Sequence, residues 1–110
     1  MARTPKWPTP LAVQRALRQL GEDIVTWRKL QGLTAAQVAD RAGVHPQTLR
    51  SLEHGEGSIS LENALRIARA LGVLDSLASA VDPYDTDIGR MRLEEALPKR
   101  VRHRSRPTGG

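Results

Sequence analysis

The sequence predicts an all-α fold, and three observations carry that expectation. Apolar residues recur at steps of three and four through most of residues 11–81, the spacing that gathers them on one face of a helix. These runs are punctuated by capping residues, prolines and glycines at places where helices start and stop. No run alternates apolar and polar residues with β-branched side chains, as a half-buried strand does. Of 110 residues only 3% are aromatic, namely Trp7, Trp27 and Tyr84, and there is no Phe. The core must therefore be aliphatic, and Leu, Ala, Val and Ile pack most readily between helices.

The elements follow in order. Pro5, Pro8 and Pro10 hold the chain extended as far as Leu11. Val13, Leu17, Leu20, Ile24 and Trp27 then form a single apolar stripe, which predicts helix from about Leu11 to Leu30 with Trp27 in the core. Gly21 interrupts the stripe and leaves open one helix or two. Thr34-Ala35-Ala36-Gln37 has the form of a capping box and opens the next helix, which ends at Gly43. Pro46 is a good first helical residue, and the helix it starts runs to about His54 before Gly55-Glu56-Gly57. Ser60 caps a fourth helix whose buried stripe is Leu61, Ala64, Leu65, Ala68 and Leu71, stopped by Gly72. A short fifth helix, about Leu74 to Val81, ends before Pro83.

The spacing across the second and third helices is the most specific signal. Ala39 is small where one helix crosses the other, Gly43 stands at the turn, and Leu49 and Leu52 supply the apolar anchor beyond it. Close contact, a sharp turn and an inner-face anchor are what a helix-turn-helix requires. Around it stand Arg28-x-x-x-Gly32-Leu33-Thr34, Ala39-x-x-x-Gly43-Val44, Leu49-x-x-Leu52-Glu53-x-Gly55, and Leu65-x-Ile67-Ala68-x-Ala70-Leu71-Gly72. With these four groups in order, the stretch from Leu20 to Val73 resembles the Xre family, the lambda-repressor/Cro-like helix-turn-helix domains.

That resemblance implies a five-helix lambda-repressor-like helix-turn-helix domain whose third helix enters the major groove of double-stranded DNA. Gln47 and Ser51 would face the bases with Pro46 and Arg50 beside them; Gln pairs bidentately with adenine and Arg with guanine. Thr34 would anchor a phosphate at the N-terminus of the second helix, where free amides and the helix dipole favour an anion. Gln37, Lys29, His45 and His54 are the further phosphate candidates. Arg28 and Glu53 occupy the places of a structural ion pair that sets the tilt of the reading helix. One short helix reads few base pairs, so a homodimer on a palindromic operator is expected, with Val73, Leu74, Leu77 and Val81 as the candidate interface.

Charge refines the picture. The chain has 17 Lys+Arg, 12 Asp+Glu, and a net charge of +5. Basic excess sits at both ends, in the Pro-rich arm 1–10 and the tail 98–110, which read as flexible arms around the domain 11–81. Residues 34–57 carry Arg41 and Arg50 against Asp40, Glu53 and Glu56, a net −1. Since affinity for duplex DNA depends on neutralised phosphates, either Arg28, Lys29, Arg41, Arg50 and the helix amides suffice locally or the basic arms supply the attraction. Arg104-Ser105-Arg106-Pro107 is similar to the minor-groove AT-hook core, except that Ser105 stands where that core has Gly. Residues 82–97 are acidic and amphipathic, with Ile88, Met91, Leu93 and Leu97 able to dock on a surface. In size, layout and this extension the chain resembles HipB-type antitoxins, whose partners are kinase-like toxins.

Several functions are excluded or set aside. No cysteine means no disulfide scaffold, zinc finger, thiol nucleophile or iron–sulfur cluster. No stretch is apolar enough to span a membrane and no export signal opens the chain, so a cytoplasmic, nucleoid-associated location is expected. His45 and His54 lie too far apart in sequence to pair as helical metal ligands, and no metal or cofactor is expected. Ser51, Asp40 and His54 lack an accompanying oxyanion turn, which argues against an enzyme. Gly55-Glu56-Gly57 has no following Lys and is not a phosphate loop. Trp7, on the arm, has no core role.

Overall fold

A computed structural model of the chain describes residues 7–96. Among them there are six α-helices, one 3-10 turn and no strand. The helices are α1 (Leu11–Leu30), α2 (Ala35–Ala42), α3 (Pro46–Glu53), α4 (Leu61–Leu71), α5 (Leu74–Ala80) and α6 (Asp87–Ala96), with the 3-10 turn at Pro83–Asp85. α1 to α5 lie within residues 11–81, and the acidic extension carries α6. The expectations for residues 1–6 and 97–110, including Leu97 and the Arg104–Pro107 segment, lie outside the described residues. The chain divides into two compact units, one ending at Asp75 and the other beginning at Ser76 within α5.

In the first unit the local punctuation acts as the residue types dictate. Thr34 and Gln37 close a reciprocal capping box at the head of α2: the Gln37 N–H donates to Thr34 Oγ1 (3.1 Å) and the Thr34 N–H donates to Gln37 Oε1 (2.9 Å). Ser60 caps α4 through the Asn63 N–H. Gly43 ends α2 at φ 73°, a left-handed conformation that a side chain would strain. From that turn the N–H groups of Gly43 and Val44 both return to Ala39 O at 3.0 Å.

α3 packs on both α1 and α2, and α2 packs on α4. The core between them is wholly aliphatic. Ile24, Val38, Ala39, Ala42, Leu49, Leu52, Ile67 and Leu71 are buried in one cluster, with Leu20, Leu33, Val44, Ile59, Ala70 and Val73 packed around it. A hydrogen bond adds to this contact set: Gln31 Nε2 donates to Leu71 O at 2.8 Å, tying the end of α1 to the end of α4.

Three expectations are corrected here. Trp27 is 44% exposed rather than in the core. From the buried Ile24 the inward position is four residues on, at Arg28, and Trp27 is turned away by one residue's rotation. Val13 is also exposed, because α1 packs only from Leu17 onward and its first turns project beyond the core. Leu61 is 74% exposed in the first turn of α4, where it lines an open groove with Ala42 and Leu65 instead of the core. Val73, a candidate interface residue, is half-buried against the core cluster.

Gly21 resolves the open question about α1, which is one helix of 20 residues. The glycine is buried, and a Cβ on it would stand 2.6 Å from the carbonyl oxygens of both Leu52 and Glu53. It is the point where α1 and the end of α3 touch backbone to backbone.

In the second unit the 3-10 turn is capped by Asp82, whose side chain accepts from the Tyr84 N–H, and α6 packs on that turn. Arg90 joins the two: it donates to Tyr84 O (2.6 Å) and pairs with Asp87 (2.5 Å). Ile88 and Met91 remain exposed on α6, whereas Leu93 is half-buried.

Gly21→Ala tests the helix crossing. The added methyl meets backbone rather than a movable side chain, so α1 and α3 must separate, and overpacking of this kind costs about 1–3 kcal/mol. Urea unfolding of the full chain should show that loss despite alanine's better helix propensity; an unchanged or raised midpoint would show that the helices do not touch there.

Candidate nucleic-acid interface

α3 is short and its two faces differ sharply. Leu49 and Leu52 are buried at 0% and 3% exposure, which anchors one face of α3 in the core. The opposite face is polar: Pro46, Gln47 and Arg50 are exposed and Ser51 is half-buried. Pro46 is the first helical residue, and His45 caps it, with Nδ1 accepting from the Gln47 N–H at 2.9 Å. His45 thus has a defined structural task at the turn.

Two of the exposed side chains are already joined. Arg50 donates through one guanidinium nitrogen to Gln47 Oε1 at 2.9 Å. This i,i+3 contact joins the two exposed side chains on the helix face, and the Gln47 amide nitrogen and the other guanidinium donors have no acceptor among the described residues. Both residues stand out in the sequence while their bond does not; their spacing of three on a helix is the signal for it.

Arg28 and Glu53 form a two-pronged ion pair. Arg28 Nε donates to Glu53 Oε2 at 2.8 Å and a terminal nitrogen donates to Oε1 at 3.2 Å. The remaining nitrogen donates to Leu33 O at 3.3 Å, which ties down the α1–α2 loop. Both side chains are largely shielded, at 16% and 10% exposure. The hydrogen bond to Glu53 raises the Arg28 pKa above the ordinary arginine value and the carboxylate charge adds to it, while burial pulls the other way. A raised cation pKa means that its stabilisation is complete below the ordinary arginine range and is lost only as the pH climbs through the raised value. The arginine side of the pair is therefore constant across neutral pH.

Thr34 and Gln37 are exposed at the head of α2, with their side chains engaged in the cap. Ala35 and Ala36 follow in the first turn, where amide groups have no intrahelical acceptor. Lys29 is exposed near the end of α1, and His54 is exposed as the residue closing α3. Of the other candidate interface residues, Leu74 is half-buried, Leu77 is 37% exposed and Val81 is 83% exposed. The contact that sequence reasoning missed is Gly21 against α3, because a glycine inside a helical pattern reads as an interruption until the partner helix is in view.

Two short helices joined by a tight glycine turn, one with its inner face locked and its outer face polar, make a helix-turn-helix. Residues 24–74 match the family described as helix-turn-helix, HTH_3, and this segment belongs to the Xre, lambda-repressor-like, helix-turn-helix family. Among curated proteins, one from Methanothermobacter thermautotrophicus named as an uncharacterized HTH-type transcriptional regulator is 56% identical over 45 residues. The match covers 41% of this chain and 65% of that relative's own length. No solved structure matches the chain significantly.

The ion pair makes a measurable claim. Breaking a fully buried pair by removing one partner costs about 3–5 kcal/mol; with some solvent access, Glu53→Ala should cost about 2–3 kcal/mol in chemical unfolding. Glu62→Ala, which breaks the exposed Glu62–Arg66 pair on α4, should stay within about 0.5 kcal/mol. Equal effects of the two substitutions would show that Arg28–Glu53 does not hold α3.

Proposed function

We propose that this chain is a sequence-specific double-stranded DNA-binding transcriptional regulator, a binding protein rather than an enzyme. The observation that carries the reading is the exposed, pre-ordered Gln47–Arg50 pair on a helix whose other face is locked into the core. A side-chain pair already in place loses less conformational freedom on binding than two mobile side chains do. Gln47 and Arg50 read bases, with Pro46 and Ser51 completing the contact surface. The amides at the head of α2 beside Thr34 take a backbone phosphate, and Gln37, Lys29, His45 and His54 serve the phosphates around it. The name of the curated relative points the same way.

In its fuller form the proposal is a cytoplasmic, nucleoid-associated repressor that binds as a homodimer to a two-fold operator near its own gene. Val73, Leu74, Leu77 and Val81 are the candidate dimer contacts. Among the described residues no helix is long and apolar enough to cross a membrane. A second reading, a HipB-type antitoxin that holds a kinase-like toxin and co-represses its operon, is favoured by Ile88 and Met91, which stand 65% and 53% exposed on α6. Co-purification from the native host separates the two, since only the antitoxin brings a kinase-like protein with it.

Selection from a pool of random duplexes at ~150 mM salt tests the main reading, because non-specific attraction is weak there. The wild-type chain should enrich a two-fold motif. Gln47→Ala should lose about 1–3 kcal/mol of preference at one position of each half-site, with the rest of the motif intact. Failure of the wild type to enrich any motif would overturn base reading by α3.

A further inference from the structure

We infer that α6 of one copy of this chain docks on the outer face of α4 in a second copy, and that the exchange is reciprocal. The receiving surface is an open groove of about 600 Å³. Ala42, Leu61, Leu65 and Leu74 give it an apolar lining, and Arg66 and Arg69 supply its cationic side. On α4, Leu61, Leu65 and Arg69 follow at i, i+4 and i+8, so two leucines and a cation form one outward stripe. Leu61 is 74% exposed in it. Arg66 is already paired with Glu62 at 3.0 Å. Arg69 is exposed and has no ion pair among the described residues. The stripe therefore runs from apolar surface to an uncompensated positive charge.

α6 carries the matching pattern. Ile88, Met91 and Glu95 follow at i, i+3 and i+7, which sets two apolar side chains and a carboxylate on one side of the helix. Ile88 and Met91 are 65% and 53% exposed. Glu95 is exposed and has no ion pair among the described residues. The opposite side of α6 is occupied: Leu93 is half-buried, and a Cβ on Gly89 would run into the Pro83 carbonyl, so the helix rests on the 3-10 turn by that side. At a rise of about 1.5 Å per residue, the stripe spans about 10.5 Å on α6 and about 12 Å on α4. A parallel approach lays Ile88 and Met91 over Leu61 and Leu65 and brings Glu95 to Arg69.

The occupant is a second copy because the two complementary stripes belong to one and the same chain. Each copy carries both a groove and a helix face, so a two-fold axis makes the contact twice and closes the assembly. Leu61, Ile88 and Met91 of both copies then leave water together. The inference rests on the homodimer of the function proposed above and deepens it, adding α4 and α6 to the α5 contacts named there. It also gives Ile88 and Met91 a different occupant from the kinase-like partner of the second reading.

The test uses the full chain. The sequence has no cysteine, so Ala96→Cys offers a single place for a nitroxide spin label at the end of α6. Isotope-labelled wild type is mixed with unlabelled, spin-labelled chain, so that only contacts between copies broaden an NMR resonance. Broadening should gather at the amides of Leu61, Leu65 and Arg69. Sedimentation equilibrium gives the second readout. Ile88→Ser with Met91→Ser should weaken dimerisation about tenfold or more; both positions are exposed, so the urea midpoint should hold. Arg69→Glu and Glu95→Arg should each weaken it several-fold, and the two together in one chain should restore it, which a loss of fold would not do. A dimer with no broadening on α4, unmoved by these substitutions, would overturn the exchange and leave a dimer through α5. Broadening only when both labels sit on the same chain would overturn it in favour of docking within one chain. A monomeric wild type would overturn both the exchange and the homodimer, and base reading by α3 is judged apart from either through Gln47→Ala.

Discussion

The backbone contact between α1 and α3 is the constraint on which the rest depends. α3 has eight residues, too few to persist as a helix by itself in water. Its shape and direction come from what it packs on. At Gly21 the two helices approach until carbonyl oxygens of α3 occupy the space a side chain would fill. Near that crossing, Arg28 reaches Glu53 with two prongs and Leu33 O with a third donor. One residue of α1 thereby fixes both the end of α3 and the loop that leads into α2.

With its tail clamped, α3 is steadied at its other end by the turn. Gly43 lets the chain reverse, and His45 caps α3. Leu49 and Leu52 then fill the aliphatic core, and what remains outside is the polar face with Gln47 and Arg50 bonded to each other. Rigid presentation of a few polar groups is what recognition of base edges needs, since a misplaced donor satisfies no base and a mobile one loses entropy on binding. A single helix crossing thus organises the polar face of α3.

Much of this was legible in the sequence where the signal is local. Thr34 with Gln37, Gly43, Pro46 and Ser60 are punctuation whose effect depends on the few residues around them, and they mark the ends of α2, α3 and α4. The small Ala39 and the anchors Leu49 and Leu52 follow from spacing alone. The Arg28–Glu53 pair came through family resemblance, since no local pattern links residues 25 positions apart. The misreadings share a physical origin in tertiary contact. Trp27 and Arg28 are adjacent, hydropathy favours Trp, and only the position of Glu53 on α3 makes the arginine the inward residue. Gly21 reads as an interruption from within α1 and as a docking point once α3 is present. Leu61 carries the right period for the core but sits in the first turn of α4, past the edge of what α2 covers. Gln47 and Arg50 were named separately; their bond is a rotamer choice that sequence does not display.

The function proposed above requires that α3, aimed by α1, is the surface that meets DNA. An NMR titration of the full chain with a selected duplex at ~150 mM salt tests it most directly, because non-specific attraction is weak there. Amide shifts should concentrate at Ala35, Ala36, Gln47, Arg50 and Ser51, with Ile88 and Met91 of α6 unmoved. Shifts confined to α6, or spread over the surface with α3 silent, would contradict it.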